Sequence, residues 1–252
     1  MEKHNRYGLT FYKTTTNENP QKGYQIAKEF VEELFYLLSK YSAMFCKNGN
    51  VKYKFCDLPY AYSERRLDSV LLPALSKLCN GVVLTELPIN RKFKKDYHSG
   101  RIDYWCIYKN YSFVIELKQG YDAFHTDTTK KISVLDRWSE MIHQLDNVLE
   151  DITEFAENTK GVIRIGLHII TSYKSDEGSL YVPNTFNEKV IQKTALRLNK
   201  DISQQTPQTK PDMLLCWKIP TYIVKQGECI YPGLWGVAKI HSPFQHKGAK
   251  TK

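Results

Sequence analysis

The stretch Gly100–Gly120, GRIDYWCIYKNYSFVIELKQG, decides how the chain is read. Two strand-like runs, about 101–108 and 111–118, meet at Lys109–Asn110. Asp103, Glu116 and Lys118 lie inside those runs, where apolar residues belong. A two-residue connection is a common hairpin loop; it sets Tyr108 against Tyr111 and Asp103 against Glu116. Opposed side chains sit about 4.5–5.5 Å apart at Cβ, and like charges there repel. Lys118, two residues past Glu116, projects from the same face. Tyr111, Phe113, Ile115 and Leu117 take the other face and pack a core. Two carboxylates and an ammonium are therefore expected to converge. Lys118 supplies part of the countercharge, and a hard divalent cation such as Mg²⁺ would supply more, bound by one or two carboxylates while keeping several waters. The plain alternative is a surface hairpin whose acids face water and whose lysine makes a modest ion pair.

Outward from the hairpin, spacing organises the rest. Upstream, Ile26, Ala27, Phe30, Leu34, Leu37, Leu38 and Tyr41 recur at three and four, which predicts a helix over 24–45. Asn48–Gly49–Asn50 reads as a turn. A second helix is expected over 63–78, with Ser63 as N-cap and Pro73 kinking or dividing it. GVVLTELPI (81–89) reads as a strand and the basic segment 91–99 as a loop. Downstream, Leu135, Trp138, Met141/Ile142, Leu145, Val148/Leu149 and Ile152 predict a long helix over 133–155. GVIRIGLHIITS (161–172) reads as a buried strand, 186–202 as a helix, 204–211 as a linker, and 212–219 and 234–242 as late strands. Residues 1–22 are polar and expected to be loose. The order implies one α/β domain over 23–245, a mixed central sheet flanked by helices. Its core is about 60–172, with a C-terminal elaboration at 173–245 and a basic tail at 246–252.

Composition excludes some classes. With 42% hydrophobic and 13% aromatic residues, the chain has the means to fold, so disorder is excluded. No apolar run approaches the roughly 20 residues that span a bilayer, so no membrane partner is expected. The first residues lack an apolar signal segment, and the six Cys show no C-x-x-C or zinc-like spacing. Reduced core thiols and a cytoplasmic location follow as expectations. The net charge of +9, with basic clusters at 63–66, 91–95 and the C-terminus, favours a polyanionic partner, nucleic acid first.

GRID at 100–103 followed by VIELKQG at 114–120 resembles the PD-(D/E)XK nucleases, the restriction-endonuclease-like superfamily. The resemblance covers about Glu64 to Ile170, and Ile102 replaces the motif proline. It implies a restriction-endonuclease-like core, with an acid on the second core strand and E-x-K on the third. It makes Asp103 and Glu116 metal ligands, joined by the carbonyl of Leu117. Lys118 would then orient or deprotonate the attacking water. The implied cofactor is Mg²⁺, with Mn²⁺ as substitute, and the implied partner is double-stranded DNA. A restriction or anti-phage defence effector, a homodimer or a defence complex would fit the same analogy; RNA cleavage, or a non-catalytic nucleic-acid-binding or assembly module on this fold, remains open. Phosphodiester hydrolysis needs a water nucleophile near neutral pH and stabilisation of added charge, which a bound Mg²⁺ supplies. A lysine crowded by a metal and partly desolvated can have its pKa lowered enough to act as a base.

Further candidates surround this set. Glu64 falls on the inward stripe of its helix with Leu67, Leu71 and Leu75, where a carboxylate needs Arg65, Arg66 or a metal. The resemblance also places a metal-reaching glutamate on that helix; Glu86 is the fallback. Gln144 borders the apolar stripe of the long helix, where relatives carry a glutamine. Arg101, Lys92, Lys94 and Lys95 are candidate phosphate contacts. His98 and His125 border the site, His143 and Asp146 read as surface residues, and His168 reads as a hydrogen-bonded core residue.

Overall fold

A computed structural model describes residues 1–16, 22–48, 58–61, 63–93, 96–148, 158–175, 185–205, 209–220, 225–226 and 229–244. Nine strands and four α-helices form among them: β1 (Glu2–Arg6), β2 (Leu9–Thr15), α1 (Lys22–Asn48), α2 (Glu64–Leu78), β3 (Val83–Phe93), β4 (Asp96–Tyr108), β5 (Tyr111–Ala123), α3 (Arg137–Asp146), β6 (Val162–Ser175), α4 (Glu188–Gln205), β7 (Met213–Lys218), β8 (Lys225–Gln226) and β9 (Cys229–Phe244). Eight strands line up as β1-β2-β7-β9-β6-β5-β4-β3, with β8 pairing β9. The β5–β6 pairing is parallel and the others antiparallel, so the expected mixed α/β sheet is present.

Helices cover both faces. On one, α1 and α2 lay Phe30, Leu34, Leu38, Leu67, Leu71 and Leu75 against Phe113, Ile115 and Leu117 of β5. Phe30 stacks on Phe113 with ring centroids 4.2 Å apart. On the other, Trp138 and Met141 of α3 and Leu198 of α4 pack with Ile170, Leu214 and Trp235. Truncating a fully buried tryptophan such as Trp138 would cost about 3–5 kcal/mol. A third, small cluster of Ile102, Val114, Val148 and Val162 joins Leu87, Ile89 and Trp105.

The hairpin at Lys109–Asn110 forms with φ of 47° and 65° at its two residues. Both are left-handed, as a type I′ turn requires. The expected register runs from Tyr108↔Tyr111 to Tyr104↔Ile115 and then ends. Beyond it β4 leaves β5 and continues with β3, so Asp103 lies at a fork between strands rather than opposite Glu116 in a ladder.

Several expectations need correction. Residues 2–15 are not loose: β1 and β2 form a hairpin that joins the sheet through β7. Phe11 and Tyr12 are buried there, and those two rings outweigh the polar composition around them. The basic segment is not a loop. β3 runs on to Phe93 and β4 starts at Asp96, making a long ribbon. α2 passes through Pro73 as one helix, with Ser63 in extended geometry at its N-cap but without a side-chain capping bond. The long helix is a π-helical turn, Lys131–Asp136, followed by α3, which ends at Asp146. Val148 instead bridges Arg91. The last strand is longer than expected, starting at Cys229. Asn48 of the expected turn ends α1, while residues 49–50 of that turn, the helical extension over 149–155 and the basic tail lie outside the described residues. No helix among the described residues is long and apolar enough to cross a membrane.

Candidate active site

β5 changes character along its length. Tyr111 to Ile115 are buried and almost wholly apolar; Glu116, Lys118 and Gln119 follow, at 1%, 7% and 9% exposure. The fork places other groups around them. Asp103 reaches across from β4, its Oδ2 accepting the Leu117 backbone N–H at 2.6 Å. Glu64, the first residue of α2, accepts the Gln119 backbone N–H at 3.2 Å. The backbone of β5 thus supplies a hydrogen bond to this carboxylate. Lys118 Nζ lies 3.7 Å from Glu140 of α3.

The charges sense one another. Burial pushes the Glu116 carboxyl up to about 7, and Asp103 adds to the rise, while Arg91 and Lys118 oppose it. Burial also raises Asp103, with the Leu117 N–H and Lys118 opposing and Glu86 adding. Glu64 rises for the same first reason; Lys118 opposes that rise and Asp103 adds to it. Three carboxylates thus stay above their usual range, chiefly because each is buried, with Lys118 opposing the rise in all three. The donor chemistry, three carboxylates and a strand carbonyl, fits a hard divalent cation. The arrangement is less ready than the chemistry: among the described residues no three acid, histidine or cysteine side chains stand together as a metal-holding group.

Arg91, near the end of β3, engages one of these carboxylates. Its guanidinium donates to Glu116 Oε1 and to the Arg101 carbonyl, and at 2.6 Å to the Gln144 carbonyl. In the sequence it stands only as part of a basic cluster at 91–95. A signal for its position did exist, because Leu87, Ile89 and Arg91 alternate along β3, and the first two pack inward. Gly100 makes room, since a Cβ there would lie 2.6 Å from Arg91 Nε.

The other expected residues divide. Gln144 reaches the cluster through its backbone carbonyl, while its side-chain Oε1 is buried without a hydrogen-bond partner among the described residues. Arg101 pairs with Pro88 on β3, and its exposed side chain meets Glu86 at 3.3 Å. Lys92 sits on β3, where nothing further is described of its side chain; Lys94 and Lys95 lie outside the described residues. Glu86 sits opposite Asp103, between the pairs Thr85↔Tyr104 and Leu87↔Ile102, with a left-handed φ of 53°. A non-glycine residue seldom adopts that conformation inside a strand. With Glu64, Arg65, Asp68, Asp103 and Tyr104 it lines a cleft of about 310 Å³. Asp68 accepts the Tyr104 hydroxyl, a contact the sequence reading did not contain.

His143 and Asp146 are exposed, as expected. His168 is a core residue but not a hydrogen-bonded one: both ring nitrogens are buried without partners among the described residues. Burial, then Arg137 and Lys118, hold its pKa down to about 3, so the ring is neutral. It pairs with Lys118 in the β5–β6 register. Gly120 lets the π-helical turn close over it, since a Cβ there would meet the Ser133 carbonyl at 2.1 Å and His168 Nε2 at 2.7 Å.

No protein-family model matches this chain, and no curated protein or solved structure matches it.

Proposed function

We propose that the chain is a divalent-cation-dependent nuclease with a restriction-endonuclease-like core, hydrolysing phosphodiester bonds in double-stranded DNA. The observation that carries the reading is the fork. There Asp103, Glu116, Lys118 and Glu64 come from β4, β5 and α2 into one electrostatically coupled group. The net charge of +9 supports a polyanionic substrate. Asp103, Glu116 and Glu64, with the Leu117 carbonyl, would hold the cation, Mg²⁺ or Mn²⁺. Bound there, it would lower the pKa of a water and neutralise charge developing on the phosphate. Lys118, almost fully buried beside the carboxylates, orients the attacking water and stabilises the oxyanion.

Cleavage of plasmid and linear duplex with Mg²⁺ or Mn²⁺ tests this. EDTA should abolish the activity, and Lys118→Ala should lower the rate by about 10²–10⁴-fold. Activity that survives both overturns the proposal. A second reading, a non-catalytic nucleic-acid-binding or assembly module, draws support from the Arg91 bond to Glu116. Salt-dependent binding with no metal-dependent turnover on DNA or RNA would select it.

A further inference from the structure

Glu116 is the carboxylate the nuclease reading needs most, and it is already engaged. The Arg91 guanidinium sits on its Oε1, with side-chain exposures of 11% and 1% for the two residues. The same guanidinium is tied to two backbone carbonyls, one on β4 and one on α3. Arg91 therefore links the β3–β4 ribbon, α3 and the fork through one fixed cation. A second cation at Glu116 would have to displace it. Taking the other oxygen would not help, because a metal there would sit beside a fixed positive charge where little water screens it.

We propose that Arg91 is a built-in competitor for the cation site, holding Glu116 out of use until its guanidinium withdraws from the fork. The proposal rests on the nuclease reading. Gly100 is the second half of the device: its missing side chain leaves the channel through which Arg91 passes, with Nε and Cδ 2.6 and 2.7 Å from where a Cβ would lie. Alanine at this position would push the flexible side chain aside without removing its charge.

Mn²⁺ binding to the full chain, read by the loss of the free-Mn²⁺ EPR signal and by calorimetry at constant ionic strength, tests the device. Arg91→Gln and Gly100→Ala should each bind Mn²⁺ about tenfold more tightly than the unmodified chain. Arg65→Gln removes an exposed guanidinium from the cleft but no bond to Glu116, and should change affinity by less than about threefold. Folded Arg91→Gln and Gly100→Ala chains with unchanged or weaker affinity overturn the competitor role and leave the nuclease reading standing. Absence of Mn²⁺ binding in all four chains overturns both. Should Arg91→Gln fail to fold, Gly100→Ala keeps the charge and carries the comparison. In the unmodified chain, saturating Mg²⁺ should also shift the Arg91 guanidinium NMR signals and speed their exchange. Signals that stay unchanged while Mg²⁺ binds overturn the proposal.

Discussion

β5 carries two buried carboxylates six positions apart, Glu116 and Asp122, on one face of the strand, and each meets a buried arginine. The Asp122 pair is closed. Both oxygens take Arg197, one nitrogen of which is 3.3 Å from Oδ1, and Oδ1 also accepts the Lys130 N–H at 3.1 Å. Arg197 has a further acceptor in Thr129 Oγ1 at 3.3 Å. The Glu116 pair is open. Arg91 meets one oxygen only and shares its donors with two carbonyls, while Asp103 adds negative charge nearby. Asp122 has the charge and hydrogen bonds it needs and serves the fold. Glu116 has one oxygen on Arg91 and a second carboxylate beside it, and its carboxyl is pushed up to about 7, burial first and Asp103 adding. Unequal satisfaction of like groups on one strand separates the candidate site from the scaffold more clearly than either pair alone.

Three substitutions would break or sharpen that contrast. The largest effect belongs to the closed pair. Arg197→Met leaves Asp122 buried without its cation and should destabilise by about 3–5 kcal/mol in urea unfolding. A loss under about 1 kcal/mol would remove the distinction between the pairs.

Next is the open pair. The Glu116 carboxyl titrates near 7 when folded against an ordinary 4.5, so the folded state holds the extra proton across that window. Stability contributed by this group is complete below 4.5 and is lost as pH rises through 7, by about 3 kcal/mol in EDTA. His168 acts in the other direction: its pKa falls from 6.5 to about 3, so its contribution is present above 6.5 and lost as pH drops. Glu116→Gln removes only the first effect, so the difference between the two unfolding profiles isolates it. A difference that stays flat with pH would contradict the open pair.

The smallest effect returns to the closed pair. Thr129→Val deletes one acceptor of Arg197 while keeping shape, and should lower stability by about 1 kcal/mol without altering Mn²⁺ binding. The Arg91 acceptors other than Glu116 are backbone carbonyls, so the open pair has no equivalent side chain to remove.

Elements with a strong period were legible. The stripes of α1 and α2, the buried run of β6 and the hairpin at Lys109–Asn110 follow from local spacing and turn length, which fold-level context did not override. The N-terminal hairpin was not legible, because β2 gains its place in the sheet from β7, about 200 residues later, and Phe11 packs against Phe35 and Tyr36 of α1. The π-helical turn was hidden for a similar reason: Ser133 is held there by its bond to the Tyr121 N–H, and Gly120 permits the approach.

For the site, the residue types and their spacing in GRID and VIELKQG came from sequence alone. Period-two alternation settled that Glu116 and Lys118 share a face away from Phe113 and Ile115. Whether their charges meet anything was a matter for the tertiary structure. It ended the β4–β5 ladder at Tyr104, turned Asp103 onto the Leu117 N–H, brought Glu64 to Gln119, and drove Arg91 past Gly100 onto Glu116. Local sequence encodes which face a side chain takes, because that depends on backbone period. Partners for a buried charge come from distant segments, and their choice depends on the desolvation and packing of the whole fold.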